Sequence, residues 1–383
     1  MGNILDYIDW RGDIMTDRSE FNPIDGLILA QIAYVDFDGI VRSGFGTSVK
    51  LSKAARKYDR IFAKKDPETL SRLAVNSHAV LMKAAKADRF KDLTLFNYVQ
   101  RYDKEDSEQF GAVTFSIDSD TCVVAFRGTD DTLAGWEEDF KLCYMTPVGA
   151  QIEAERYLRR VCGRVGGKIY ICGHSKGGNL AVYSAMMMSG EDKQKIVSVM
   201  NYDGPGFLQD IIERDEYRSI LPKIESYMPQ GSIVGRIMYH EGEYNIVHST
   251  EKGMQQHVAL SWEVLGRSFV KDAAFERSSI IFDAACKKWV SEISIEEREQ
   301  FIHIVFQILK SGDADTVTDF TAKMLTSMNR VIKSYSGLDR TTRKMVRSII
   351  KQMIKLGTQT ISESKKEGRS FIGKNPELRE QEE

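Results

Sequence analysis

The stretch KIYICGHSKGGNLAVYSA, Lys168 to Ala185, sets a serine between glycines at the point where an apolar run gives way to a helical pattern. KIYICG has the β-branched and aromatic composition of a strand. After Ser175 the residues from Leu180 to Met188 are good helix formers, and Gly190 is the expected C-cap. GHSKG, Gly173 to Gly177, satisfies GxSxG, in which a serine on a sharp strand-to-helix turn exposes its hydroxyl at the top of a sheet. Five such residues would arise by chance in roughly one chain in ten of this length. The strand before, the helix after and a further small residue at Gly178 give the match its weight. Ser175 is therefore expected to be a nucleophile rather than a turn serine.

Working outward, strand-like and helical runs alternate from about residue 90 to 260, which predicts an α/β domain. TCVVAFRG and IVSVMNY join KIYICG as central parallel strands, nearly free of charge as strands covered on both faces must be. Between the first two, Ala154, Tyr157, Leu158, Val161 and Cys162 share one helical stripe, the mark of a crossover helix. LTLFNYVQRYD and FGAVTFSIDSD read as antiparallel strands at the start of the sheet, and DPETLSRLAVNSHAVLMKAAKA as a helix with Pro67 in its first turn. After about residue 263 long amphipathic segments replace the strands. Ser294 and Glu297 form a capping-box pattern, and Val317, Phe320, Met324, Met328, Val331 and Tyr335 keep a helical stripe. The expected organisation is an α/β domain over 1–262, a helical extension over 263–362 and a mobile polar tail over 363–383.

With 42% apolar residues in a chain of 383, a sizeable core is expected. Lys plus Arg (53) nearly balances Asp plus Glu (55), so no bulk charge favours nucleic acid. The opening lacks a basic start with a long apolar run, and nowhere do 18 apolar residues follow one another, so a soluble, cytoplasmic protein is expected. Five scattered cysteines without a CxxC pair indicate neither a disulfide framework nor a zinc site. Residues 338–374 hold ten Lys or Arg against three Asp or Glu, a local charge of +7 by subtraction. Two readings of that segment stand side by side: a helix packed on its neighbours with a solvated basic rim, or a peripheral contact with an anionic membrane surface.

A nucleophilic serine needs a base, and the chain has six histidines: His78, His174, His240, His248, His257 and His303. In a fold of this type the acid and the histidine follow the serine, which removes His78. His174 adjoins the serine on the elbow and would point away from its hydroxyl, and His303 lies on an apolar helical face. Of the other three, His257 in GMQQHVALSW sits in a loop after the last strand-like segment and just before a helix, whereas His240 and His248 bracket YNIV. His257 is the favoured base. An oxyanion hole takes one N–H from the residue after the nucleophile, here Lys176, and one from a loop after an earlier strand. AFRGTDD offers Thr129 for the second.

VVAFRGT, then Trp136 and Asp139 in GWEEDF, GHSKGG and a late QHVALSW occur together and in order. The set resembles the class 3 lipase branch of the α/β-hydrolases, and more closely the bacterial Mbeg1-like family, over roughly residues 20 to 265. The resemblance implies an α/β-hydrolase fold, a mostly parallel central sheet with helices on both faces, with Ser175 as nucleophile, His257 as base and Thr129 with Lys176 as oxyanion donors. Such lipases usually carry an aspartate in a DIVP-like stretch, where this chain reads SIVG with Ser232. Asp203 in NYDGPGF, at the end of the strand after the nucleophile helix, is the expected replacement, with Glu241 and Glu243 as alternatives. The expected activity is hydrolysis of a carboxylic ester, of a lipid or another acyl group, through an acyl-enzyme that needs no metal or organic cofactor. The rival reading is a catalytically silent hydrolase fold used for binding or regulation.

Overall fold

The structure, a computed structural model, describes residues 1–103, 108–130, 132–310 and residue 340. Eight strands form one sheet in chain order: β1 (Val49–Lys50), β2 (Thr94–Asp103), β3 (Glu108–Ser116), β4 (Thr121–Phe126), β5 (Lys168–His174), β6 (Ile196–Tyr202), β7 (Ile224–Pro229) and β8 (Tyr244–Val247). The first four strands pair antiparallel, and β4 to β8 run parallel. On β4, Cys122, Val124 and Phe126 enter one core while Val123 and Ala125 enter the other, as a period of two requires. A strand buried on both sides needs a helical layer on each.

Helices α1 (Ile4–Arg11), α2 (Pro23–Ile32), α3 (Leu51–Phe62), α4 (Arg72–Ala84) and α5 (Asp88–Lys91) belong to the N-terminal part. The later connections carry α6 (Leu133–Lys141), α7 (Gly149–Cys162), α8 (Lys176–Met186), α9 (Gly190–Lys195), α10 (Gln209–Ile212) and α11 (Asp215–Ile220). Parallel strands joined in sequential order by right-handed crossovers put their helices on one face. There α7 and α11 pack on α8, which lies on β5 and β6. The other face must be covered from elsewhere in the chain. It is covered by α2, buried from Ile24 through Ile32 and laid across β4, β5 and β6, with α1 and α4 behind it. This mostly parallel sheet between two helical layers is an α/β-hydrolase fold.

Beyond the sheet come a two-residue hairpin, β9 (Val264–Leu265) with β10 (Ser268–Phe269), then α12 (Arg277–Glu292) and α13 (Ile295–Lys310). The capping box at Ser294 and Glu297 forms as read, with Glu297 N–H donating to Ser294 Oγ at 3.2 Å and Ser294 N–H to Glu297 Oε2 at 3.1 Å. Phe282, Cys286, Trp289 and Phe306 of these two helices pack with Leu142, Cys143 and Met238, forming a third core beside α6. Three boundaries differ from the sequence reading. Pro67–Thr69 is a separate 3-10 turn, because Leu70 is extended and the Ser71 side chain caps Ala74, starting α4 at Arg72. Helix α8 ends at Met186, and Gly190, with φ of +50°, opens α9 instead of closing α8. The hairpin adds strand pairing after residue 263 where only helix was expected. The Val317–Tyr335 stripe, the tail and the basic segment, Arg340 apart, lie outside the described residues. Among the described residues no helix is long and apolar enough to cross a membrane, and all five cysteines are free and buried.

Candidate active site

Ser175 stands between the last residue of β5 and the first of α8, with φ of +58° and ψ of −135°. A non-glycine residue there is strained, and the turn persists because its surroundings leave it no alternative. Ser175 N–H donates to Tyr202 O of β6 at 2.9 Å, and Gly178 N–H donates back to Ser175 O at 2.8 Å. A Cβ on Gly177 would collide with the Phe126 carbonyl, and one on Gly178 with the Asn201 side chain, so only glycine lets α8 leave so close to the sheet. From Ile171 to Met186 every residue is buried except Ser175. Fifteen buried residues thus surround one half-buried serine.

Asp203 follows β6, is fully buried, and holds φ of +51°. Its Oδ2 lies 2.6 Å from His257 Nδ1. Its Oδ1 accepts from Ser232 Oγ at 2.5 Å and from Gly235 N–H at 3.1 Å. The loop that carries it is tied to α8 and α7: Asn179 Nδ2 donates to the carbonyls of Pro205 and Gly206, and Gln151 Nε2 to Asn179 Oδ1. A carboxylate only accepts, so His257 must carry its proton on Nδ1, leaving Nε2 as the basic nitrogen. Glu241 and Glu243 are both exposed, and Asp203 is the acid that meets His257.

His257 ends a 3-10 turn, Gly253–His257, after β8, and is followed by a second 3-10 turn rather than by the helix expected there. Trp262 Nε1 donates to Gln256 O at 2.8 Å, and Arg72 Nη1 to Gln255 Oε1 at 2.8 Å. His174 Nε2 donates to His257 O at 2.8 Å, and the two rings lie 4.6 Å apart. That contact brings the base to the residue next to Ser175. With Nε2–H committed to a carbonyl, His174 Nδ1 accepts from Tyr34 Oη at 3.1 Å. Burial, with the neighbouring His257 charge, pushes the pKa of His174 down to about 3, so the ring is neutral.

Lys176 is the first residue of α8, and its backbone N–H is one of the helix donors without an intrahelical acceptor. Its side chain runs the other way, fully buried, with Nζ donating to Glu138 Oε2 at 2.8 Å and Gln109 O at 2.9 Å. Burial works against that charge, but Glu138 and Asp139 outweigh it and raise the pKa. Glu138 also accepts from Gln109 N–H and Ala150 N–H, so both members of the buried pair keep hydrogen bonds beyond their own. The loop after β4 comes alongside, where a Cβ on Gly128 would stand 3.1 Å from Ser175 Cβ. Thr129 Oγ1 donates to Asp139 Oδ2 at 2.6 Å. Asp139 Oδ1 has no hydrogen-bond partner among the described residues and lies 3.8 Å from Lys176 Nζ. Burial lifts the Asp139 carboxyl to about 6 against the pull of Lys176 and Thr129. The committed Thr129 hydroxyl leaves its backbone N–H as the donor to weigh at the oxyanion position.

The structure thus brings His257 onto Asp203 and, through His174, next to the elbow that carries Ser175 and Lys176, with Thr129 in the loop after β4. The roles of His174, Ser232, Gln256 and Tyr34 in holding them were not read from the sequence. Among the described residues, no cluster of three or more His, Cys, Asp or Glu has the arrangement of a metal site. No curated protein matches the chain. A solved structure described as a crystal structure of M37 lipase matches with 12% identity and a TM-score of 0.33, covering 57% of this chain and 70% of that one. The Mbeg1-like family model matches residues 84–307, more than half of the sequence, and the chain belongs to the Mbeg1-like family.

Proposed function

We infer that this protein is a serine hydrolase that cleaves a carboxylic ester. The observation that carries the reading is the 2.6 Å contact of His257 Nδ1 with the buried Asp203 carboxylate, beside a strained elbow whose serine alone reaches solvent. Ser175 Oγ attacks the carbonyl carbon as its proton passes to His257 Nε2. The oxyanion that forms is met by the N–H groups of Lys176 and Thr129. Collapse breaks the bond to the leaving alcohol, which takes the proton from His257 and leaves an acyl-serine. Water, deprotonated by the same nitrogen, attacks the acyl carbon, and the acid departs with Ser175 restored. Asp203 holds the imidazole in place and stabilises the imidazolium. Nothing in this sequence of steps calls for a metal or organic cofactor. The resemblance of the elbow and histidine motifs to those of class 3 lipases makes an acyl ester the substrate class to try first.

The test is active-site labelling with a fluorophosphonate, read as intact mass, with Ser175→Ala as control. One adduct on the wild type and none on the variant is expected. An unlabelled wild type would overturn the reading and leave the catalytically silent fold.

A further inference from the structure

Helix α12 begins far from the nucleophile in sequence, yet its first turns reach both loops that hold the candidate triad. Ser279, fully buried, donates from Oγ to the carbonyl oxygen of Ser232 at 2.6 Å. Ser232, 1% exposed, donates in turn to Asp203 Oδ1 at 2.5 Å. A second line runs to the histidine. Glu276 Oε1 accepts from Gln256 Nε2 at 2.8 Å, and Gln256 Oε1 accepts from Gly231 N–H at 2.7 Å, with Gln256 fully buried and adjoining His257. Glu276 N–H also donates to Gln230 O at 2.7 Å, and Arg236, next to the Gly235 donor of Asp203, is paired with Asp283 of α12 at 2.6 Å.

The chemistry gives these contacts a purpose beyond packing. A carboxylate that must hold one imidazole edge can still rotate about its own bond. Donors on the oxygen turned away from the histidine fix that rotation, and here they are the Ser232 hydroxyl and the Gly235 N–H. Ser232 occupies the stretch where lipases of the resembled type place the acid itself, so the acid has moved one strand over and a hydroxyl now supports it.

We propose that Ser232, held by Ser279, and Gln256, held by Glu276, are positioning residues of the triad, so that the first turns of α12 are part of the catalytic apparatus and not an appendage to it. The inference rests on the hydrolase reading above. It assigns the start of the helical segment, Glu276 to Asp283, to the orientation of Asp203 and His257.

The test compares Ser232→Ala, Ser279→Ala, Glu276→Ala and Glu276→Gln with the wild type in hydrolysis of a short-chain nitrophenyl ester across pH. Loss of one hydrogen bond to a charged group is expected to lower kcat roughly tenfold in Ser232→Ala, with KM nearly unchanged and the acid limb of kcat/KM displaced. Ser279→Ala and Glu276→Ala follow in the same direction, and Glu276→Gln, which keeps an acceptor for Gln256, restores the wild-type profile. His174, His240 and Asp139, the other titratable groups facing this pair, are unaltered in all four. Glu276 is exposed, so its variants fold even where Ser232→Ala does not. The downfield proton signal of His257 Nδ1–H reads the same contact without turnover and is expected to move in Ser232→Ala and Ser279→Ala. Unchanged kinetics and an unmoved signal in folded variants would overturn the proposal. If fluorophosphonate labels the wild type, that failure belongs to α12 alone; if it does not, the hydrolase reading fails first.

Discussion

Asp203 has its two oxygens divided between two tasks, and that division makes one substitution unusually informative. In Asp203→Asn the amide oxygen can keep the donors Ser232 and Gly235, which turns Nδ2 toward His257. Two donors cannot face each other, so His257 must expose an unprotonated Nδ1 and carry its proton on Nε2, where it cannot accept from Ser175. The expected loss in kcat is roughly 10³- to 10⁴-fold with the fold retained. Glu241→Gln, at an exposed position, should leave ester hydrolysis unchanged. Full activity in Asp203→Asn would remove Asp203 from the triad. The contact of Asp203 with His257 could be anticipated from the sequence because a carboxylate ending the strand after the elbow helix has few other places to go. Ser232 could not, since a serine in a turn carries no pattern that distinguishes a buried donor from solvated turn chemistry. The sequence points His174 away from the serine hydroxyl, and its ring is bonded to Tyr34 and to the His257 carbonyl. That it also anchors the base, 83 residues on, lay beyond any local pattern.

Helix α2 determines whether the second face of the sheet is closed. Its start is held by Asn22, whose Oδ1 accepts from Ile24 N–H at 2.9 Å and Asp25 N–H at 3.3 Å, and whose Nδ2 donates to Tyr7 Oη at 2.9 Å. Asp25 returns the cap by accepting from Asn22 N–H, and pairs with Arg89 through Nε at 2.7 Å and Nη2 at 2.5 Å, both residues being buried. One polar cluster therefore joins α1, α2 and α5. Asn22→Ala should lower unfolding stability by about 1 to 2 kcal/mol, the usual cost of a lost N-cap. Urea unfolding with an unchanged slope and a lower midpoint is the expected result, and an unmoved midpoint would show that the cap is dispensable. The sequence made the crossover helix α7 plain because one stripe is apolar and the rest charged. PIDGLILAQI is apolar nearly all round, and such a run has too little periodicity to separate a buried helix from a buried strand. The strands β4, β5 and β6 were legible for the opposite reason, being short, β-branched and bounded by turns.

Taken whole, the molecule buries several titratable groups near the candidate triad, and their protonation links that site to global stability. His174 is pushed to about 3 by burial and the nearby His257, and His240 to about 4 by burial, opposed by a backbone hydrogen bond near Gly235. In the unfolded chain both would titrate near 6.5. Between about pH 6 and 5 the unfolded chain thus binds nearly two protons that the folded one refuses. Asp139, raised to about 6 by burial, acts in the opposite sense, since the folded chain holds a proton there that the unfolded chain has released. From these three groups the net difference is about one proton in favour of the unfolded state, so their contribution to stability should fall by roughly 1 kcal/mol for each unit of pH lost across that window. Removing the carboxyl in Asp139→Asn removes the opposing contribution and should roughly double the slope. Urea midpoints of both proteins at pH 7, 6 and 5 measure this directly. A wild type as stable at pH 5 as at pH 7, or a variant with the shallower slope, would show that these groups are not held in the protonation states that their burial requires.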